Sequence, residues 1–147
     1  MLWFLDSSAL VKRYVREPGS AWLRTELTKH DLLIAHVTPV ELTAAICKKH
    51  RTGDISRFTY YQAYKRVLQD LTTHAYTTIN LSDEIIRLAQ SLTFTRSLRA
   101  YDAVQLATAL NASAMTSAKQ FSFVTADAQL ERVARAEGLQ TDNPLDH

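Results

Sequence analysis

Short apolar runs alternate with helix-period patterns along this chain, and that alternation predicts a parallel sheet flanked by helices. Trp3-Phe4-Leu5 is apolar at every position, as a strand buried on both faces requires. Leu32 to Ala35, Tyr76 to Ile79 and Phe121 to Val124 read as further strands, with a last short one over Leu139 to Thr141. Between them lie helical stretches. Ser7 and Ser8 can cap the first, and Pro18 opens a second through about Leu27. Thr38-Pro39-Val40-Glu41 has a capping-box signature and starts a helix to about Lys49. Ser56 to Leu71 is helical, with Phe58, Tyr61, Tyr64 and Leu68 spaced for one face. Ser82-Asp83-Glu84 starts a helix through about Leu92, Tyr101 begins a strong one to about Ala114, and Asp127 to Glu137 is stopped by Gly138. The fold class is therefore α/β: a central, mostly parallel sheet of about four or five short strands flanked by helices.

With 147 residues, 46% apolar and 22% charged, the chain suits one globular domain over 1–147 with its own core. Its single cysteine, Cys47, sits in an apolar helical pattern and reads as a small core residue. One cysteine forms no intrachain disulfide, which fits a reducing compartment. Asp6 ends the apolar start too early for a signal-peptide core, and no run approaches the ~18 apolar residues of a membrane span. The expectation is a soluble, cytoplasmic protein. The formal net charge of +2 is too mild to identify a partner. Its distribution says more: Lys48, Lys49, Arg51, Arg57, Lys65 and Arg66 face only Asp54 in that stretch.

Acidic residues supply the chemistry. Asp6 directly follows the first strand, where open parallel sheets place ligands. It also suits a helix cap, but Ser7 and Ser8 already offer caps. Glu41 has a structural reading as the glutamate of a capping box with Thr38, and both readings put its carboxylate at a helix N-terminus. Asp102 lies on a helix that is apolar over most of its circumference, in a thin polar stripe with Gln105 and Thr108. A carboxylate there needs a partner, either an ion or Arg99 three residues earlier. Asp127 sits between a strand and a helix, and cap and site readings weigh equally. Four converging carboxylates would repel unless a cation neutralised them. Oxygen-only ligands favour Mg²⁺ or Mn²⁺ over zinc, and the histidines show no zinc spacing.

Four segments carry a resemblance: Leu5-Asp6-Ser7-Ser8-Ala9-Leu10-Val11-Lys12, Thr38-Pro39-Val40-Glu41-Leu42, the run Leu98 to Ala109 around Tyr101-Asp102-Ala103, and Phe123-Val124-Thr125-Ala126-Asp127. In that order and over this length, the chain resembles PIN-domain ribonucleases, in particular the VapC-type toxins of toxin–antitoxin pairs. The resemblance implies a PIN-like fold and hydrolysis of RNA phosphodiester bonds with divalent metal. It also implies a homodimer and a cognate antitoxin. It places Asp6, Glu41, Asp102 and Asp127 at the family's acidic positions, as catalytic and metal-binding residues, with Ser7 and Thr125 as supporting hydroxyls. Asp6 and Asp102 are then the direct ligands of Mg²⁺, with Mn²⁺ as a substitute. Glu41 would bind a second ion or orient water, and Asp127 would act through a water. Lys48, Lys49, Arg51 and Arg57 are the expected RNA contacts, because Lys48 lies about 10 Å, two helical turns, beyond Glu41. A haloacid-dehalogenase phosphatase is excluded, since its second aspartate is replaced by Ser8. The remaining rival is a catalytically inactive PIN module that binds RNA or protein.

Overall fold

In the computed structural model, residues 1–116 and 120–147 are described. Five strands form one sheet in the order β3-β2-β1-β4-β5, and every neighbouring pair is parallel. The strands are β1 (Leu2–Leu5), β2 (Asp31–Ala35), β3 (Thr77–Ile79), β4 (Phe121–Val124) and β5 (Gln140–Asp142). The helices are α1 (Ser7–Tyr14), α2 (Ser20–Glu26), α3 (Thr38–Arg51), α4 (Arg57–Thr72), α5 (Asp83–Arg96), α6 (Ala100–Met115) and α7 (Ala128–Ala136).

Strand alternation splits the core in two. On β1, Trp3 and Leu5 point to one face and Phe4 to the other. The Trp3 and Leu5 face, with Ile34 and Val124, packs on α1 to α4 through Leu10, Leu23, Leu42, Ile46 and Val67. The Phe4 face, with Phe123, packs on α5 to α7 through Ile85, Leu106 and Leu130. Both faces of the central strands are covered, which is why these runs are apolar throughout.

The chain leaves β1 toward β2 on one side and returns to β4 on the other. The order of strand addition therefore reverses between β1 and β4, and crevices at such points open beyond the strands' carboxyl ends. That edge carries the acids.

Local differences from the sequence reading have identifiable causes. Asp6 is itself the N-cap of α1, accepting from Ser8 N, so Ser7 and Ser8 lie inside the helix and are not its caps. Thr38 is not a cap either. Val37 holds that position with no side-chain bond, and the capping box with Glu41 does not form, because Thr38 is turned toward Gln105 in the core. Pro18 precedes α2, which starts at Ser20 behind Gly19 at φ 84°. A Cβ on Gly19 would strike the Pro144 carbonyl, so glycine lets the C-terminal turn pack there. The stripe Phe58, Tyr61, Tyr64 and Leu68 does share a face of α4, but that face is exposed, with Phe58 74% accessible. The buried side of α4 is Ala63, Val67 and Asp70. Asp70 is held there by Arg13 Nε at 2.7 Å and the Tyr14 hydroxyl at 2.9 Å. Cys47 is half-buried, not a core residue, and its Sγ lies 3.6 Å from the Tyr60 hydroxyl. Among the described residues no helix is long and apolar enough to cross a membrane.

Candidate active site

Asp6 is held at the switch point by donors from two strand ends. The residue is 3% accessible and follows β1 directly. Oδ2 accepts from Ser8 N at 3.2 Å, from the Ser8 hydroxyl, and from Thr125 Oγ1 at 3.0 Å. Oδ1 takes none of these bonds. Ser8 Oγ also accepts from Ala126 N at 3.0 Å, and Thr125 Oγ1 accepts from Asp127 N at 3.1 Å. The two hydroxyls thus tie the β1–α1 junction to the β4–α7 junction. Burial pushes the Asp6 carboxyl above its ordinary value, the Ser8 and Thr125 bonds oppose that, and the charge of Asp102 adds to it.

Glu41 stands in the first turn of α3, after β2. It accepts from Gln105 Nε2, and the Ser7 hydroxyl is near enough to help hold its pKa down. Its carboxyl is nonetheless raised to about 7, chiefly by burial and further by the charges of Asp6 and Asp102. Gln105 comes from α6 and is fully buried; its Nε2 reaches Thr38 Oγ1 at 3.0 Å as well. Among the described residues its Oε1 finds no partner. Asp102 lies one turn earlier on the same helix, three-quarters shielded, with Arg99 Nε 3.1 Å from its Oδ2. Asp127 caps α7: its Oδ1 accepts from Gln129 N at 2.8 Å and Leu130 N at 2.9 Å. Its Oδ2 lies 3.7 Å from Arg99 Nη2.

The charge of Asp102 therefore acts on Asp6, those of Asp6 and Asp102 act on Glu41, and Asp127 joins them through Arg99 and through Thr125. As placed, no three carboxylate, imidazole or thiol groups among the described residues enclose a common point. Each acid is satisfied from within: Asp6 by hydroxyls, Glu41 by Gln105, Asp102 and Asp127 by Arg99.

Thr125 hydrogen-bonds Asp6, and Ser7 lies near Glu41, where it helps to hold that carboxyl's pKa down. Sequence reasoning missed Ser8, which was taken for a cap, and Gln105, whose position in a polar stripe on an apolar helix was the signal. The basic residues fare differently. Lys48, Arg51 and Arg57 are exposed around the α3–α4 turn, and the Arg57 guanidinium lies 5.7 Å from the Tyr61 ring centre. Lys49 is not free: it pairs with Glu17, which also takes Lys12 Nζ at 2.8 Å. Despite its burial, Glu17 is held below the usual carboxylate range by those two ammonium groups.

A family model described as the PIN domain matches residues 3–136. No curated protein matches the sequence. Among solved structures, PAE2754 from Pyrobaculum aerophilum is 20% identical, over 96% of this chain and 83% of that one, with a TM-score of 0.67. FitAcB from Neisseria gonorrhoeae is 17% identical over 98% of each chain, with a TM-score of 0.66. VapBC2 from Rickettsia felis, bound to a DNA fragment from its promoter, is 15% identical over 97% of this chain and 98% of that one, at 0.64. At these identities the likeness is one of fold. With a family model spanning nearly its whole length, this chain belongs to the PIN domain family.

Proposed function

We propose that the chain is a metal-dependent endoribonuclease and the toxin half of a toxin–antitoxin pair. One observation carries the nuclease reading. A buried carboxylate, Asp6, stands at the sheet's switch point; the charge of Asp102 helps to raise its pKa, and the charges of Asp6 and Asp102 help to raise that of Glu41. Packing like charges together costs stability and has a use when a cation joins them.

The donor set suits a hard cation. Among the described residues the hydrogen bonds to Asp6 all fall on Oδ2, which leaves Oδ1 for an ion, and the neighbouring donors there are carboxylates without thiol or imidazole. Asp6 and Asp102 would hold Mg²⁺ or Mn²⁺ directly. Glu41 would hold a second ion or orient the attacking water, and Asp127 would act through a water. When bound, such a cation supplies positive charge that polarises the scissile phosphodiester and makes water a better nucleophile. This chain's own residues do the positioning. Ser8 and Thr125 fix the Asp6 carboxylate, and Gln105 fixes that of Glu41. Lys48, Arg51 and Arg57 offer exposed cations for flanking RNA phosphates.

The toxin assignment rests on the solved relatives: one is a toxin–antitoxin complex from Klebsiella pneumoniae and another a VapBC from Salmonella typhimurium bound to DNA. An antitoxin partner, a homodimer and a cytoplasmic location follow from that reading. The rival is a catalytically inactive module that binds RNA or protein. Arg99 favours it, because its contacts with Asp102 and Asp127 offset acid charge with no ion at all. Incubating the purified protein with total RNA in Mg²⁺ and in EDTA, then mapping new ends, separates the two. Ends that appear only with Mg²⁺ support the nuclease; intact RNA in both supports the module.

A further inference from the structure

Arg99 is poorly explained as a structural residue. It precedes α6 at the N-cap position in extended backbone, and makes no side-chain cap. Its guanidinium spans two acids from different helices, 3.1 Å from Asp102 Oδ2 and 3.7 Å from Asp127 Oδ2. Yet the side chain is 82% exposed. Ion pairs in that much water contribute little to stability, so folding alone gives weak reason for an arginine here. A recess of about 90 Å³ opens between Leu98, Arg99, Asp102 and Asp127. The side chain is a planar fork of N–H donors, matched to carboxylate and phosphate oxygens alike. It lies at the rim of the acid group, where the acids hold it only from one side.

We propose that Arg99 is an RNA-phosphate ligand held in reserve: its guanidinium bridges Asp102 and Asp127 in the resting protein and turns to a substrate phosphate once a divalent cation claims Asp102 directly and Asp127 through a water. This rests on the nuclease reading above. The guanidinium and the cation compete for the same oxygens, so each state leaves the other positive group free. RNA then meets an arginine at the rim only when the site is loaded. The exchange is a change of ion-pair partners, with no covalent bond made or broken.

Two measurements test it. Mn²⁺ affinity is read from the free-ion EPR signal for the wild-type protein, Arg99→Gln and Arg99→Lys. Arg99→Gln should bind Mn²⁺ roughly two- to fivefold more tightly, the range one exposed charge pair supports, and Arg99→Lys should stay near wild type. Binding of a labelled single-stranded RNA oligonucleotide is then measured in Ca²⁺ and in EDTA. Arg99→Gln should weaken it roughly tenfold in Ca²⁺ and leave it unchanged in EDTA. Should Arg99→Gln fail to fold, Arg99→Lys decides: it keeps the charge but loses the fork, so RNA affinity should fall in Ca²⁺ while Mn²⁺ affinity holds. Unchanged or weaker Mn²⁺ binding in Arg99→Gln overturns the inference, as does an RNA defect of equal size in both buffers. A wild-type protein that neither binds Mn²⁺ nor cleaves RNA overturns the nuclease reading and this inference together. Wild-type cleavage with no effect of Arg99→Gln overturns this inference alone.

Discussion

The Thr125 hydroxyl donates to Asp6 Oδ2 at 3.0 Å, joining the ends of the two parallel strands at which the order of strand addition reverses. Both residues are buried, so the bond is shielded from water. Thr125→Val keeps the shape and removes the donor. We expect it to cost about 1–3 kcal/mol near neutral pH, the usual penalty for stripping a partner from a buried acceptor. Asp6 is already raised above its ordinary value, and losing this donor raises it further. The cost should therefore shrink as pH falls and Asp6 takes up its proton. Urea unfolding at pH 4 and pH 8 checks this, and an equal cost at both would count against the role given to the bond.

Glu41 gives a second pH signature. Its carboxyl is raised to about 7 by burial and by the charges of Asp6 and Asp102. The folded protein thus holds a proton that the unfolded chain releases near its ordinary value of 4.5. The stability this proton confers is complete below about pH 4.5 and is lost as pH rises toward and through 7. Metal-free melting temperatures should decline over that window, and Glu41→Gln should flatten the decline. A variant with the wild-type slope would place the titration elsewhere.

Gln105 is the linchpin of the α3–α6 contact at the site. Gln105→Leu fills similar space and strands both Thr38 Oγ1 and the Glu41 carboxylate without their amide donor. A loss of about 1–3 kcal/mol follows, with Glu41 moving further up. Chemical denaturation measures the first, and NMR titration of Glu41 in wild type and variant measures the second. A neutral Gln105→Leu with unshifted Glu41 would show the amide to be incidental.

Much of this was legible in the sequence because strand burial and residue spacing are local signals. Trp3-Phe4-Leu5 is apolar on both faces because helices cover both faces of β1, and Asp6 stands out as the charge that ends it. Other features depend on contacts far along the chain. Thr38 looks like a cap until Gln105, 67 residues away, takes its hydroxyl. Ser8 looks like a cap until its bond to Ala126 N shows it bridging two junctions. Lys49 reads as a free cation, but Glu17 claims it across 32 residues. The α4 stripe shows the limit of periodicity: spacing places Phe58, Tyr61, Tyr64 and Leu68 on one face without saying which face is buried.

Loading the site should relieve the repulsion among Asp6, Glu41 and Asp102, and an ion that binds only the folded state raises stability by mass action. At a hundredfold excess over its dissociation constant, Mg²⁺ should add about 2.7 kcal/mol. Melting with and without Mg²⁺ reads the shift, and Asp102→Asn should blunt it. An undiminished shift in that variant would locate the ion away from these acids.

RNA cleavage by Asp102→Asn tests the central claim most directly. The substitution removes the charge and keeps the shape, on a helix whose packing depends on its apolar residues. The variant and the wild-type protein are incubated with total RNA in Mg²⁺, and new ends are counted over time. The account predicts Mg²⁺-dependent cleavage by the wild-type protein and a fall of at least roughly 100-fold in Asp102→Asn, the scale seen when one preorganised charge-stabilising group is lost. Cleavage by Asp102→Asn at the wild-type rate would contradict it.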